Sequence, residues 1–227
     1  SAYRPLGNKS ELRSSLGLPE DSFIIGTVMR NQRRKLYPDL FEAFKILLSK
    51  VENPEKYFLY CHTSYPDLGW DIPELLQQYG LSSKVYFTYI CGQTDKFFPS
   101  LFKGAIAQSP YTNKFGATLS NVKNGLNYED LCKVMNLFDL YVQYANSEGF
   151  GLPQVEAAAC GVPVMATDYS AMESVVRNLK GTPIKPKALY KELETGCFRL
   201  VPDNELASEL MKSFFELSKE DRDMLGN

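Results

Sequence analysis

The sequence predicts a doubly wound α/β domain, in which a parallel sheet is covered by helices on both faces and carries one long insertion. Strand-like and helix-like segments alternate along most of the chain. The strand segments are continuous apolar runs, the pattern of strands buried on both faces. One stretch of roughly thirty-five residues breaks the rhythm, far longer than the ~2–6 residues usual between a strand and the next helix.

The elements follow in order. Asn8–Leu16 reads as a short helix, and Leu18-Pro-Glu-Asp leads into a first buried strand at Ser22–Met29. Asp39–Val51 places Leu40, Phe41, Phe44, Leu47 and Leu48 on one helix face. Strand Tyr57–Cys61, helix Ile72–Tyr79 and strand Val85–Ile90 come next, then the insertion at about 91–126. Helix Tyr128–Asn136, strand Leu140–Gln143, helix Pro153–Cys160, strand Val164–Thr167 and helix Ala171–Leu179 resume the alternation. Right-handed crossovers then wind the sheet in both directions, and ligands are expected beyond the carboxyl ends of its strands. In the insertion, Phe97, Phe98, Phe102 and Tyr111 can form a small core or fold it back onto the sheet, and it reads as an ordered surface hairpin rather than a ligand lid.

Composition narrows the function classes. A formal charge of −2 and a pI near 5.6 argue against a nucleic-acid partner. Five cysteines, scattered and without a close CxxC pair, read as reduced thiols rather than a disulfide framework, and a structural zinc site is not expected. No apolar run reaches the ~20 residues of a membrane span, so the expectation is a soluble, cytoplasmic domain.

The chemistry concentrates in Asn146-Ser-Glu-Gly-Phe-Gly-Leu-Pro-Gln-Val-Glu156. Pro153 suits the first turn of a helix, whose free amides and dipole favour a phosphate. Gly149 and Gly151 let a ligand approach the backbone closely, with Phe150 and Leu152 beside them. Glu148 and Glu156 supply two ionised acceptors for sugar hydroxyls. A second constellation, Arg30-Asn31-Gln32-Arg33-Arg34-Lys35, follows the first strand and offers fixed positive charge to a diphosphate. By itself such a basic run is commonly a solvated surface; beside the glycine loop it points to phosphate.

The run Glu148-Gly-Phe-Gly-Leu-Pro-Gln-Val-Glu156-Ala-Ala-Ala-Cys-Gly-Val-Pro-Val-Met-Ala-Thr-Asp168 resembles the E-x7-E signature of retaining glycosyltransferases with the GT-B fold, in the large group numbered family 4. Ile25-Gly-Thr-Val-Met-Arg30 through Lys35, followed by Leu40-Phe-Glu-Ala-Phe44, resembles that group's phosphate-binding strand, loop and helix. The similarity runs from about Ser22 to Asp203 apart from the insertion. It implies one Rossmann-like domain, residues 1–227, serving as the donor-binding half of a longer enzyme whose N-terminal acceptor domain is absent. The resemblance implies that Glu148 sits beside the donor sugar and that Glu156 binds ribose. Arg30 and Lys35 hold the diphosphate with amides of Phe150, Gly151 and Leu152, Asn31 lines the pocket, and His62 and Ile90 lie near the base. No metal and no cofactor are expected beyond the nucleoside-diphosphate sugar itself. The acceptor is a glycan, lipid or protein, and the missing domain is the route to any peripheral membrane contact. The alternatives are a noncatalytic nucleotide-sugar binding module and a GT-B-fold sugar-nucleotide epimerase.

Overall fold

The computed structural model describes residues 2–114 and 116–226; Ser1, Phe115 and Asn227 lie outside the described residues. Among the described residues the strands are β1 (Phe23–Val28), β2 (Tyr57–His62), β3 (Val85–Cys91), β4 (Phe97–Leu101), β5 (Ile106–Gln108), β6 (Gly116–Leu119), β7 (Leu140–Gln143), β8 (Val164–Thr167), β9 (Thr182–Ile184), β10 (Pro186–Lys191) and β11 (Phe198–Pro202). The helices are α1 (Lys9–Ser15), α2 (Tyr37–Lys50), α3 (Ile72–Tyr79), α4 (Tyr128–Asn136), α5 (Leu152–Ala159), α6 (Ala171–Asn178), α7 (Asn204–Glu216) and α8 (Lys219–Leu225).

Nine strands form one sheet in the order β5-β6-β3-β2-β1-β7-β8-β9, with β4 paired to β3 off that path. From β3 to β9 every pairing along the path is parallel. The chain builds outward from β1 through β2 to β3, then returns to lay β7 on the other side of β1. That reversal makes the β1/β7 junction the switch point, the end of a doubly wound sheet at which ligands are expected.

Two cores cover the sheet. One face buries Leu40, Phe41, Phe44 and Leu47 of α2, Ile72 and Leu76 of α3, and Met211 and Phe215 of α7. The other buries Met135 of α4, Ala157 of α5, and Met172 and Val176 of α6. Side chains cap several helices: Asn8, Asp71, Asn127 and Asp203 each accept from an amide three residues on.

The insertion departs from the expected surface hairpin. β4 runs antiparallel along Tyr86–Ile90, β6 pairs antiparallel with Tyr89–Cys91, and β5 adds to β6 as the sheet's edge. Phe97 and Phe98 are buried, and Tyr89 and Phe98 stack with ring centroids 5.8 Å apart. The insertion therefore extends the sheet, and it makes the sheet mixed rather than wholly parallel. Aromatic side chains drive this, because folding back on β3 removes them from water.

The chain beyond Leu179, where no further element was expected, forms β9, the β10–β11 hairpin, α7 and α8. Elsewhere the expected ends shift by one or two residues; α5 starts at Leu152 rather than Pro153, and α2 at Tyr37 rather than Asp39. No helix among the described residues is long and apolar enough to cross a membrane.

Candidate functional site

The loops after β1 and β7 are stitched together by backbone. Leu36 donates to the Tyr144 carbonyl at 3.2 Å, Asn146 donates to the Arg34 carbonyl at 2.9 Å, and Lys35 and Ala145 form an isolated antiparallel bridge. These bonds bring the basic run to Glu148. Arg34 Nη1 donates to Glu148 Oε2 at 2.6 Å and to the Ser147 carbonyl at 3.0 Å, while Lys35 Nζ contacts Glu148 Oε1. Gln143 Nε2, at the end of β7, donates to Glu148 Oε1 at 3.3 Å. Ser170, before α6, donates to the Glu148 carbonyl at 2.9 Å.

The Glu148 and Lys35 side chains are each only 8% exposed, so this is a buried ion pair with an outer cation, Arg34, 42% exposed. Burial first, and Arg34 second, push the Lys35 ammonium down to about 7. Contact with the Glu148 carboxylate acts in the opposite sense and holds the charge, since the alternative is an unpaired buried carboxylate.

Arg30 is placed at the rim. Its Nε and Nη2 donate to Asp67 Oδ2 and Oδ1 at 2.8 and 3.1 Å. Arg30, Arg34 and Lys35 thus face two carboxylates, Glu148 and Asp67, leaving one net positive charge before the exposed Arg33 is counted.

The glycine loop leads straight into α5. Gly151 is its N-cap with φ 83° in the left-handed region, and no side chain among the described residues caps the helix. That start, like those of α2 and α6, differs from α1, α3, α4 and α7, whose first amides are occupied by Asn or Asp oxygens. Gly149 has open space around it, and Phe150 and Leu152 are 54% and 61% exposed, so the loop presents backbone and apolar surface together.

The remaining expected residues fall in different places. Glu156 lies one turn further along α5, half-buried, with its carboxyl raised by burial and facing the Tyr3 hydroxyl, which lacks a partner at full hydrogen-bond geometry. No bond joins it to Glu148 among the described residues. Asn31 is fully buried: its amide donates to the Trp70 carbonyl and accepts from the Trp70 amide, both at 2.8 Å. His62 ends β2 with Nδ1 2.9 Å from Thr88 Oγ1, and burial lowers its imidazole to about 4, so it is neutral near pH 7. Ile90 is 3% exposed, its side chain within the core that also holds Phe97.

Residues outside the expected set join these groups: Arg34, Gln143, Ser170 and Asp67. Arg34 stood within a basic run whose members are indistinguishable by local pattern. Nothing in the local sequence marks Asp67, because its role depends on where the loop after β2 meets the loop after β1. Two concavities, of about 540 and 530 Å³, lie elsewhere, at the amino ends of the strands beside Asp139 and Pro163 and beside Phe23 and Tyr57. Among the described residues no group of three or more His, Cys, Asp or Glu side chains is placed to hold a metal ion.

Comparison with known proteins bears on the fold and on part of the sequence. Residues 117–216 match the glycosyl transferases group 1 family. Sucrose synthase 2 of Hordeum vulgare is 28% identical over 214 residues, covering 84% of this chain and 24% of that protein, so the chain spans about a quarter of the relative's length. In fold, the chain is similar to the C-terminal domain of a glycosyl transferase group 1 family protein (LpcC) from Francisella tularensis, with TM-score 0.62 and 18% identity, covering 100% of this chain and 91% of that one. It is likewise similar to Anabaena Alr3699/HepE in complex with UDP and glucose, with TM-score 0.62 and 16% identity, covering 100% of this chain and 47% of that one. Residues 117–216 thus match the group 1 glycosyl transferases, and the fold is that of the C-terminal domain of such a GT-B protein.

Proposed function

We propose that the chain binds a nucleoside-diphosphate sugar and supplies the donor half of a retaining glycosyltransferase, the acceptor being bound by a preceding domain. The observation that carries this reading is the convergence of Arg34, Lys35 and Glu148 at the uncapped start of α5, on the switch point of the sheet. The Anabaena neighbour holds UDP and glucose in the same fold, which supports the ligand class.

In this reading the diphosphate lies against the amides of Phe150, Gly151 and Leu152, with Arg30 and Lys35 supplying charge. Fixed cations and helix amides stabilise the charge that grows on the departing diphosphate, without reorganising at the moment of transfer. Glu148, already held on both oxygens by its cations, presents its carboxylate to the donor sugar. Glu156 accepts from the ribose hydroxyls. The departing phosphate steers the acceptor to the same face of the sugar, so configuration is retained without a protein nucleophile. A noncatalytic nucleotide-sugar binding module would use the same pocket, with Glu148 on the donor sugar in either case.

Isothermal titration with UDP, GDP and ADP and their sugar derivatives tests the reading. One of the three is expected to bind below millimolar concentration and Glu156→Ala to weaken it; absence of any such binding would falsify the donor site. In the parent protein, nucleotide release should require an acceptor and be suppressed by Glu148→Ala.

A further inference from the structure

Asp67 stands outside the glycine loop and the basic run, yet its carboxylate is the most heavily bonded group at the site. Its side chain is 3% exposed. It accepts from Arg30 Nε at 2.8 Å, Arg30 Nη2 at 3.1 Å, the Leu68 amide at 2.8 Å, and the Ser64 hydroxyl. These bonds, Arg30 first, hold its carboxyl well below the usual carboxylate range.

A guanidinium offers two edges to a forked acceptor: the side edge, Nε with one terminal nitrogen, and the end edge, the two terminal nitrogens. Asp67 fills the side edge. Nη1 makes no hydrogen bond among the described residues, and the Arg30 side chain is 46% exposed, so the end edge is turned to solvent.

Detaching Arg30 would leave a nearly buried carboxylate with two of its four donors, an outcome that burial makes costly. The surrounding backbone also resists separation. Asn31 N–H donates to Ser64 Oγ at 3.1 Å, Asn31 and Trp70 exchange two bonds at 2.8 Å, and Trp70 Nε1 donates to the Lys35 carbonyl at 2.6 Å. Gly69 lies so close that a Cβ there would stand 2.2 Å from Asn31 Oδ1. The loops 30–35 and 63–70 are one unit.

We propose that Asp67 is a positioning residue of the donor site: it grips the side edge of Arg30 so that the end edge is presented, already oriented, to a phosphate oxygen pair. The proposal rests on the donor-site reading above. Asp67 reduces the local positive charge, and in exchange the guanidinium loses no freedom when the ligand arrives. An Asp67 that merely competed with phosphate for Arg30 would act in the opposite direction.

The test compares the wild-type chain, Asp67→Asn, Arg30→Ala and the double variant, titrated with whichever of UDP, GDP and ADP the wild type binds most tightly and with its nucleoside. Asp67→Asn should weaken the diphosphate by about tenfold, the size of one lost oriented contact, and leave the nucleoside unchanged. In the Arg30→Ala background the same change should have no effect, because the residue it positions is gone. Unchanged or tighter diphosphate binding by Asp67→Asn overturns the proposal, and so does equal weakening of nucleoside and diphosphate or an effect that persists without Arg30. If the wild type binds no nucleoside diphosphate, the donor reading fails first and carries this proposal with it.

Discussion

Glu148 and Lys35 are nearly buried and in contact, so each is the other's reason for being charged. Removing one partner of such a pair leaves an uncompensated ion, at a cost of about 3–5 kcal/mol. Glu148→Gln should therefore lower the stability of the ligand-free chain by that order in urea denaturation, and adding Lys35→Met should recover part of it. No change in Glu148→Gln would show that the two groups are already solvated. His62 gives a second prediction at this scale. Its folded pKa of about 4 lies below the ordinary 6.5, so the unfolded chain takes up the proton first. The stability it contributes is full above pH 6.5 and is lost as pH falls toward 4, by roughly 2–3 kcal/mol in all. Urea midpoints measured from pH 7 to 4 should fall less steeply in His62→Asn than in the wild type; parallel slopes would count against a neutral, buried imidazole.

The two loops that carry the site belong to strand–helix units whose residues announce themselves in sequence, since β1, α2, β7 and α5 all lie within two residues of their expected ends. What the elements do to each other was less legible. Gly26 in β1 reads as one small residue in an apolar run, yet a Cβ there would stand 2.1 Å from the Phe138 ring, which follows α4. The glycine lets the corner between α4 and β7 close over β1. Gly26→Ala should force that ring aside and destabilise the chain by about 1–3 kcal/mol, the usual cost of overpacking. Thermal unfolding measures it, and Phe138→Leu in the same chain should relieve part of the loss. The pairing of the insertion's strands with β3 was not legible for a related reason. Short runs such as Ile106–Gln108, exposed at the edge of the sheet, have no periodicity to read.

Across the whole molecule the insertion is structural rather than appended. It covers β3 along Tyr86–Cys91, and Phe98 and Leu119 belong to the same core as Tyr89. Excising residues 93–124 should expose an apolar strand edge of the kind that templates association. Size-exclusion chromatography is expected to show aggregates; a monomeric product of unchanged melting temperature would make the insertion dispensable to the fold. The two concavities at the amino ends of the strands lie at the opposite end of the sheet from the switch point, where the charged groups gather.

By itself the sequence determined the alternation of strands and helices, the end of the sheet at which a ligand is expected, and the glycine loop with Glu148 at its head, because these are local patterns of period, turn chemistry and helix start. The tertiary structure decided which cation meets which carboxylate. Arg34 and Lys35 rather than Arg30 hold Glu148, Asp67 takes Arg30, and Asn31 is spent on fastening two loops together. Pairings of that kind span 37 to 114 residues of chain for Arg30–Asp67 and Arg34–Glu148. They exist only once the backbone bonds between the loops after β1 and β7 have set the distances over which charge acts.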